Sequence, residues 1–278
     1  MRPVTLIILI FSNLLAISTA STWPILPHNF TTPSKQWNAG DGNKIVGGQE
    51  TDIEKYPYQV AILNDGRLFC GGSLLSEDRV LTAAHCTDGR TASDMSVRAG
   101  SSFHDKDGTI VNVIGIRQHP NYTESTVDND ISILVLESGV LHPGPTIDFV
   151  TYPTLGLGND PTTGADCIIT GWGTTTEGGS ISEKLQVAKV PIVSRSDCEA
   201  AYGSSEITKN MICAGIPKVG GIDTCQGDSG GGMLLKESLV KNHQIGIVSW
   251  GYGCARPEYP GVYTKVANYK DFIEENIK

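Results

Sequence analysis

Apolar residues fall in one long block at the start of this chain and in many short blocks beyond it. The first block runs from Val4 to Ile17, interrupted at Ser12 and Asn13, with Arg2 before it and Ser18-Thr-Ala20 after it. A basic start, a short apolar centre and a small-residue end predict a secretory signal peptide over 1–20, cut after Ala20. A membrane anchor would need about 18–20 uninterrupted apolar residues, and no later stretch is long and apolar enough to span a bilayer. Residues 21–44 hold Trp23-Pro, Leu26-Pro and Thr32-Pro, no periodic pattern and no cysteine. Such a stretch buries too little to fold alone, and it predicts a propeptide or linker ending at Lys44.

After Lys44 the blocks shorten. Tyr58–Leu63 and Leu74–Leu81 are bounded by Gly66, Gly71-Gly72 and Asp78-Arg79. Further blocks lie at Cys167–Gly173, Leu185–Val193, Gly232–Leu235 and Ile245–Trp250. Short apolar runs between turn residues, in a chain with 32 glycines, predict an all-β body over 45–278, built as one domain or as two packed halves. No repeat is visible in the sequence. Leu157 to Thr163 reads as a loop joining two sets of strands. At the C-terminus the period changes: Val266, Tyr269, Ile273 and Ile277 recur at three to four residues, with Asp271, Glu274 and Glu275 on other faces. This predicts a short amphipathic helix with a packing role.

Charge narrows the partners. The chain carries −9, and three basic residues and one acidic residue precede Ile45, so the body is near −11. An acidic body without basic clusters is unsuited to nucleic acid or an anionic membrane, and solubility accounts for the charge. All seven cysteines lie between Cys70 and Cys254. In an exported chain they should mostly form disulfides, one is left over, and spacing does not set the pairing. No CxxC pair or His/Cys cluster has metal-ligand spacing, so neither a metal nor another cofactor is expected.

Three places carry candidate chemistry. Asp223-Thr-Cys-Gln-Gly-Asp-Ser-Gly-Gly231 sets Ser229 among glycines, which suits an exposed nucleophile near converging N–H groups of Gly227 and Ser229, and equally suits a surface turn. His85 stands in Leu81-Thr-Ala-Ala-His-Cys86, either as a structural histidine or as a base. Asp130 opens the apolar run Ile131–Leu136 as a turn residue or as a carboxylate orienting an imidazole; an acid there needs a partner. Ile45-Val-Gly-Gly48 directly follows Lys44, which fits either a strand end or a processing site. Asn29-Phe-Thr31 and Asn121-Tyr-Thr123 are glycosylation sequons; the first would leave with the propeptide. His28, His104, His119, His142 and His243 show no mutual pattern.

Taken in order, IVGG, CGGSLL, TAAHC, DNDI, GWG, GDSGG, SWG and PGVYT run from Ile45 to Thr264, within a body that extends to Lys278. This series resembles the chymotrypsin/trypsin family of serine endopeptidases, which has the same His…Asp…Ser order. The resemblance implies two six-stranded antiparallel β-barrels with the active site between them and a short C-terminal helix. It implies a triad of Ser229, His85 and Asp130 and an oxyanion hole from the N–H groups of Gly227 and Ser229. Cleavage after Lys44 would free the Ile45 ammonium to pair with Asp228. Asp223, with Thr224, Gly251 and Gly261, would form a pocket for Arg or Lys. The implied disulfides are Cys70–Cys86, Cys198–Cys213 and Cys225–Cys254. Cys167 is left as a buried thiol or a link to another chain, because Leu235 stands where the family often has its partner. Gly232 replaces the usual proline after GDSGG and is expected to loosen that strand entry. Ser101 stands near a glutamate of calcium-binding trypsins, so no calcium site is expected. The layout resembles simple invertebrate digestive trypsinogens: a secreted monomer acting on proteins and peptides and meeting proteinaceous inhibitors. A non-catalytic homologue used for binding is the competing class.

Overall fold

A computed structural model describes residues 47–153 and 161–278. The expected signal peptide, the propeptide, Lys44 and Ile45 lie outside the described residues, as does residues 157–160 of the expected joining loop. Strand β1 (Gln49–Glu50) is a two-residue edge. The first barrel consists of β2 (Gln59–Asn64), β3 (Arg67–Ser76), β4 (Arg79–Thr82), β5 (Met95–Ala99), β6 (Thr109–Gln118) and β7 (Ser132–Leu136). It closes in the order β2-β3-β4-β7-β6-β5, every pair antiparallel. In β5 the side chains of Met95, Val97 and Ala99 are buried while Ser96 and Arg98 are not, the two-residue alternation of a sheet with one face in a core.

The second barrel consists of β8 (Asp166–Gly171), β9 (Gln186–Val193), β10 (Met211–Ala214), β11 (Gly232–Leu235), β12 (Gln244–Trp250) and β13 (Gly261–Lys265). Its order is β9-β10-β13-β12-β11-β8, closed by the pairing of β8 with β9, while β1 adds to the free side of β9. Helix α1 (Arg195–Tyr202) leads into β10. Ser194 caps it, its hydroxyl accepting from Asp197 N, and the buried residues Cys198 and Tyr202 lie one turn apart.

One expected boundary is displaced. Gly71-Gly72 lies in the middle of β3, not at its end. A Cβ at Gly71 would stand 3.3 Å from Gly231 Cα, so glycine serves there to let the second barrel's backbone approach, and it does not mark a turn. The C-terminal pattern begins as a tight 3₁₀ turn over Val266–Tyr269 and becomes α2 over Lys270–Asn276. Val266, Tyr269 and Ile273 are buried in the first barrel's core, which also takes Ile247 from β12. The last segment of the chain is thereby a strap: it leaves the second barrel and buries its apolar stripe on the first.

Hydrogen bonds fasten the seam between the barrels. Thr170 Oγ1 donates to Gln59 Oε1 at 2.6 Å, and Ser73 Oγ donates to Gln244 Oε1 at 2.6 Å. The second contact explains Gly232. It pairs in register with Ile247, and a Cβ there would meet Gln244 Cδ at 3.0 Å. The glycine gives Gln244 room to cross the seam; the strand entry is paired, not loosened. Among the described residues no helix is long and apolar enough to cross a membrane.

Candidate active site

β4 ends at Thr82, buried Ala83 and Ala84 follow, and the chain turns at His85. Cys86 is bonded to Cys70 of β3, which pins the turn to the barrel wall. Asp130 enters β7 from the other side and is 1% exposed. His85 Nδ1 lies 2.8 Å from Asp130 Oδ2, and the backbone N of His85 donates to Oδ1 at 2.9 Å. Ser249 Oγ donates to Oδ2 at 2.5 Å, and Thr264 Oγ1 donates to the Asp130 carbonyl at 2.7 Å. A buried carboxylate fixed by this set of donors holds the ring in one orientation. With Nδ1–H given to the carboxylate, Nε2 of a neutral imidazole keeps its lone pair.

Asp128, two residues earlier, behaves differently. Its Oδ1 accepts from Thr208 Oγ1 at 2.7 Å and Asn210 Nδ2 at 3.1 Å. Asn129 between them has φ +58°, a left-handed turn. One acid faces the imidazole and the other ties the loop to the second barrel.

Ser229 sits in the turn before β11, half-buried. Its carbonyl accepts from Gly71 N at 2.7 Å, and Gly230 N donates to Val248 O at 2.9 Å. Gly71 follows Cys70, whose disulfide partner follows His85, and Val248 precedes Ser249, which bonds Asp130. The three residues singled out in the sequence therefore share one stretch of the seam. A Cβ at Gly230 (φ +80°) would lie 2.1 Å from Thr82 Oγ1 and 2.6 Å from Gly71 O, so a larger residue would push the barrels apart. Asp228 N and Gly231 N donate to Cys225 O and Asp228 O. The N–H groups of Gly227 and Ser229 have no acceptor among the described residues.

Two further carboxylates are buried beside this turn. Asp228 is fully buried, with Gly173 N and Cys225 N donating to it at 2.8 and 3.0 Å. A Cβ at Gly171 or Gly173 would reach to 2.0 or 2.3 Å of its oxygens, so the acid rests directly on bare backbone. Asp223 is 4% exposed and accepts from Thr224 N at 2.8 Å and Ala255 N at 3.2 Å. Gly261 faces it, a Cβ there falling 2.6 Å from Oδ1, whereas one at Gly251 would come no nearer to another atom than 3.6 Å, at Tyr202 Oη. Desolvation pushes Asp223 up to about 6 and Asp228 up to about 7. Neither has a cationic partner among the described residues.

Cys225–Cys254 braces the two segments that flank Asp223, and Cys198–Cys213 ties α1 to β10. Cys167 is a free, buried thiol opposite Leu235. Burial, then the neighbouring Asp166 charge, pushes it up to about 12. That makes it an inert packing group with no surface to offer another chain. Ser101 is buried, its hydroxyl donating to Lys106 O at 2.7 Å and accepting from Phe103 N at 2.9 Å, which closes its loop on itself.

A cleft of about 320 Å³ adjoins His85, lined by Asp88, Tyr122, Glu124, Val127, Ser249 and Trp250. Burial, followed by Asp130, Asp88 and Glu124, pushes the Tyr122 hydroxyl up to about 12, so the cleft is acidic. Reading the sequence missed these lining residues and the bond from Ser249 to Asp130. The only signal for the latter was that Ser249 belongs to the SWG motif.

Two closed barrels whose seam carries Ser229, with an imidazole held by a buried carboxylate beside a cleft, have the layout of a serine endopeptidase. The trypsin family model matches residues 45–273. The vitellin-degrading protease of Bombyx mori is 43% identical over 84% of this chain and 86% of its own length. Trypsin 5G1 of Aedes aegypti is 41% identical over 95% of this chain and 94% of its own. Trypsin Blo t 3 of Blomia tropicalis is 42% identical over 83% and 85%. The chain belongs to the trypsin family and is a serine endopeptidase.

Proposed function

We propose that this protein is a secreted zymogen that is cut after Lys44 and then hydrolyses peptide bonds following Arg and Lys. The observation that carries the specificity is Asp223: a buried carboxylate, held by N–H groups, with no cation opposite it among the described residues. An apolar side chain docked against it would leave it unpaired, whereas a guanidinium or ammonium would compensate it. Asp228 supports activation by the same logic. It is a buried acid lacking a cation among the described residues, and the Ile45 ammonium released by cleavage would supply one. Lys44 itself fits the proposed specificity, so the enzyme would activate its own precursor.

In this mechanism Ser229 Oγ attacks the scissile carbonyl while His85 Nε2 takes its proton. Asp130 stabilises the imidazolium, and the free N–H groups of Gly227 and Ser229 receive the oxyanion. Collapse of the tetrahedral intermediate breaks the C–N bond as His85 protonates the leaving amine. Water then repeats the sequence on the acyl-enzyme. Protein and peptide substrates are the partners, with proteinaceous inhibitors competing for the same cleft in a monomeric enzyme.

The test is hydrolysis of matched Arg, Lys and Phe chromogenic peptides before and after cleavage at Lys44. Turnover of the Arg and Lys peptides is expected only once Ile45 is the N-terminus, and Ser229→Ala should lower kcat by roughly 10⁵–10⁶-fold. Near-normal turnover by Ser229→Ala would sink the triad, and equal turnover of the Phe peptide would sink the specificity. A Ser229→Ala zymogen that still matures in isolation would refute self-activation.

A further inference from the structure

We infer that Asn121 carries an N-linked glycan at the rim of the cleft beside His85, where it screens the cleft from folded proteins and leaves it open to short peptides. Asn121-Tyr122-Thr123 is the one sequon between Ile45 and Lys278. Asn121 is exposed, and its side-chain amide makes no hydrogen bond among the described residues. Its backbone, by contrast, is fastened. Its N–H donates to His119 Nδ1 at 3.2 Å, and its carbonyl accepts from Asn129 Nδ2 at 2.9 Å, one residue before Asp130. The attachment point is thus free at the amide and fixed at the main chain.

The position matters because the next residue lines the cleft. Tyr122, Glu124 and Val127 line the cleft together with His85, Ser249 and Trp250. An N-glycan is bulky, hydrophilic and confined to surfaces. An extended peptide needs only the floor of the cleft. A folded inhibitor or protein substrate covers the rims as well, about 800 Å² on each partner, and a glycan rooted beside Tyr122 competes for that area. The modification is a substitution at carbon: Asn121 Nδ2 bonds the anomeric carbon of an oligosaccharide carried on a lipid diphosphate. The C–O bond to phosphate breaks, the lipid diphosphate leaves with the bonding pair, and the amide gives up one proton. Nothing is oxidised or reduced.

This inference rests on the export and peptidase activity proposed above, and the experiment separates the two. Wild type, Asn121→Gln and Thr123→Ser are secreted as full chains from a eukaryotic host and matured. Mass spectrometry of the Asn121 peptide is expected to show glycan in wild type and Thr123→Ser and none in Asn121→Gln. Association of a folded Kunitz-type inhibitor, followed by direct binding, is expected to be about tenfold faster for Asn121→Gln. Wild type treated with a peptide N-glycosidase should match it, which separates loss of the glycan from any misfolding. Hydrolysis of an Arg chromogenic peptide should be the same for all forms. Unmodified Asn121 in secreted wild type would overturn the site. A glycosylated wild type that meets the inhibitor as fast as Asn121→Gln would overturn the screening. Absence of hydrolysis in every form would count against the peptidase reading, while the mass and binding measurements would still judge the glycan.

Discussion

The two barrels hold buried carboxylates in opposite ways. In the first, Asp130 is surrounded by side-chain and backbone donors, including the His85 ring and Ser249. It stands against the largest apolar cluster of the first barrel, strapped by the C-terminal helix, while Ala61 and Leu63 of β2 belong to a separate cluster. In the second, Asp223 and Asp228 have N–H partners but no cation among the described residues, and desolvation raises both. The second barrel's core is also divided, one cluster centred on β8, β9 and β11 and another on α1 and Tyr202. The difference separates a finished arrangement from an unfinished one. The first barrel presents an imidazole held by a buried carboxylate, and the second keeps two buried acids with no cationic partner among the described residues.

The largest effect expected from that contrast is at Asp223. Asp223→Ser should lower kcat/KM for an Arg peptide by roughly 10³–10⁵-fold while leaving slow cleavage of a Phe peptide intact. Parallel kinetics on the two peptides provide the check, and an equal fall on both would mean that Asp223 holds the fold and does not read the substrate.

Ser249→Ala probes the finished side. It removes one of several donors to Asp130, so kcat should fall by about tenfold with KM unchanged. A loss as large as that of Ser229→Ala would show that Asp130 depends on a single bond.

The smallest expected effect concerns stability and pH. Asp228 has a folded-state value near 7 against an ordinary 3.8, so between those limits the native chain binds more protons than the unfolded one. The stability Asp228 contributes is complete below about 4 and is lost as pH rises through about 7. In uncleaved protein the urea midpoint of Asp228→Asn, relative to its parent, should therefore improve from pH 4.5 to 7.5. The parent cleaved after Lys44 should lose that pH dependence, because the Ile45 ammonium favours the ionised acid. A difference between parent and Asp228→Asn that is flat with pH in the uncleaved chain would show that Asp228 already has a cation.

Much of the architecture was legible in the sequence. The runs at Tyr58–Leu63, Leu185–Val193, Gly232–Leu235 and Ile245–Trp250 coincide with strands to within one or two residues, because each is apolar enough to need burial on its own. β5, β6, β10 and β13 were not marked out. β5 and β6 interleave Arg98, Asn112 and other polar residues with the buried ones, and β10 and β13 are only four and five residues long. Helix α1 escaped for a related reason: it buries only Cys198 and Tyr202, and its single local sign was the Ser194–Asp197 cap.

By itself the sequence determined the class of fold, the order of the histidine, aspartate and serine motifs, and the supply of cysteines, since these depend on local composition and spacing. Only the tertiary structure decided that Asp128 turns to Thr208 and Asn210 while Ser249 and Thr264 support Asp130. Only there does it appear that Gly71 and Gly230 set how close the barrels come. The surroundings of Asp130 depend on partners 45 to 134 residues away, and on a left-handed turn at Asn129 that sends two like residues in different directions. A hydrogen bond across a seam leaves no periodic trace along the chain; it exists only once both barrels have closed.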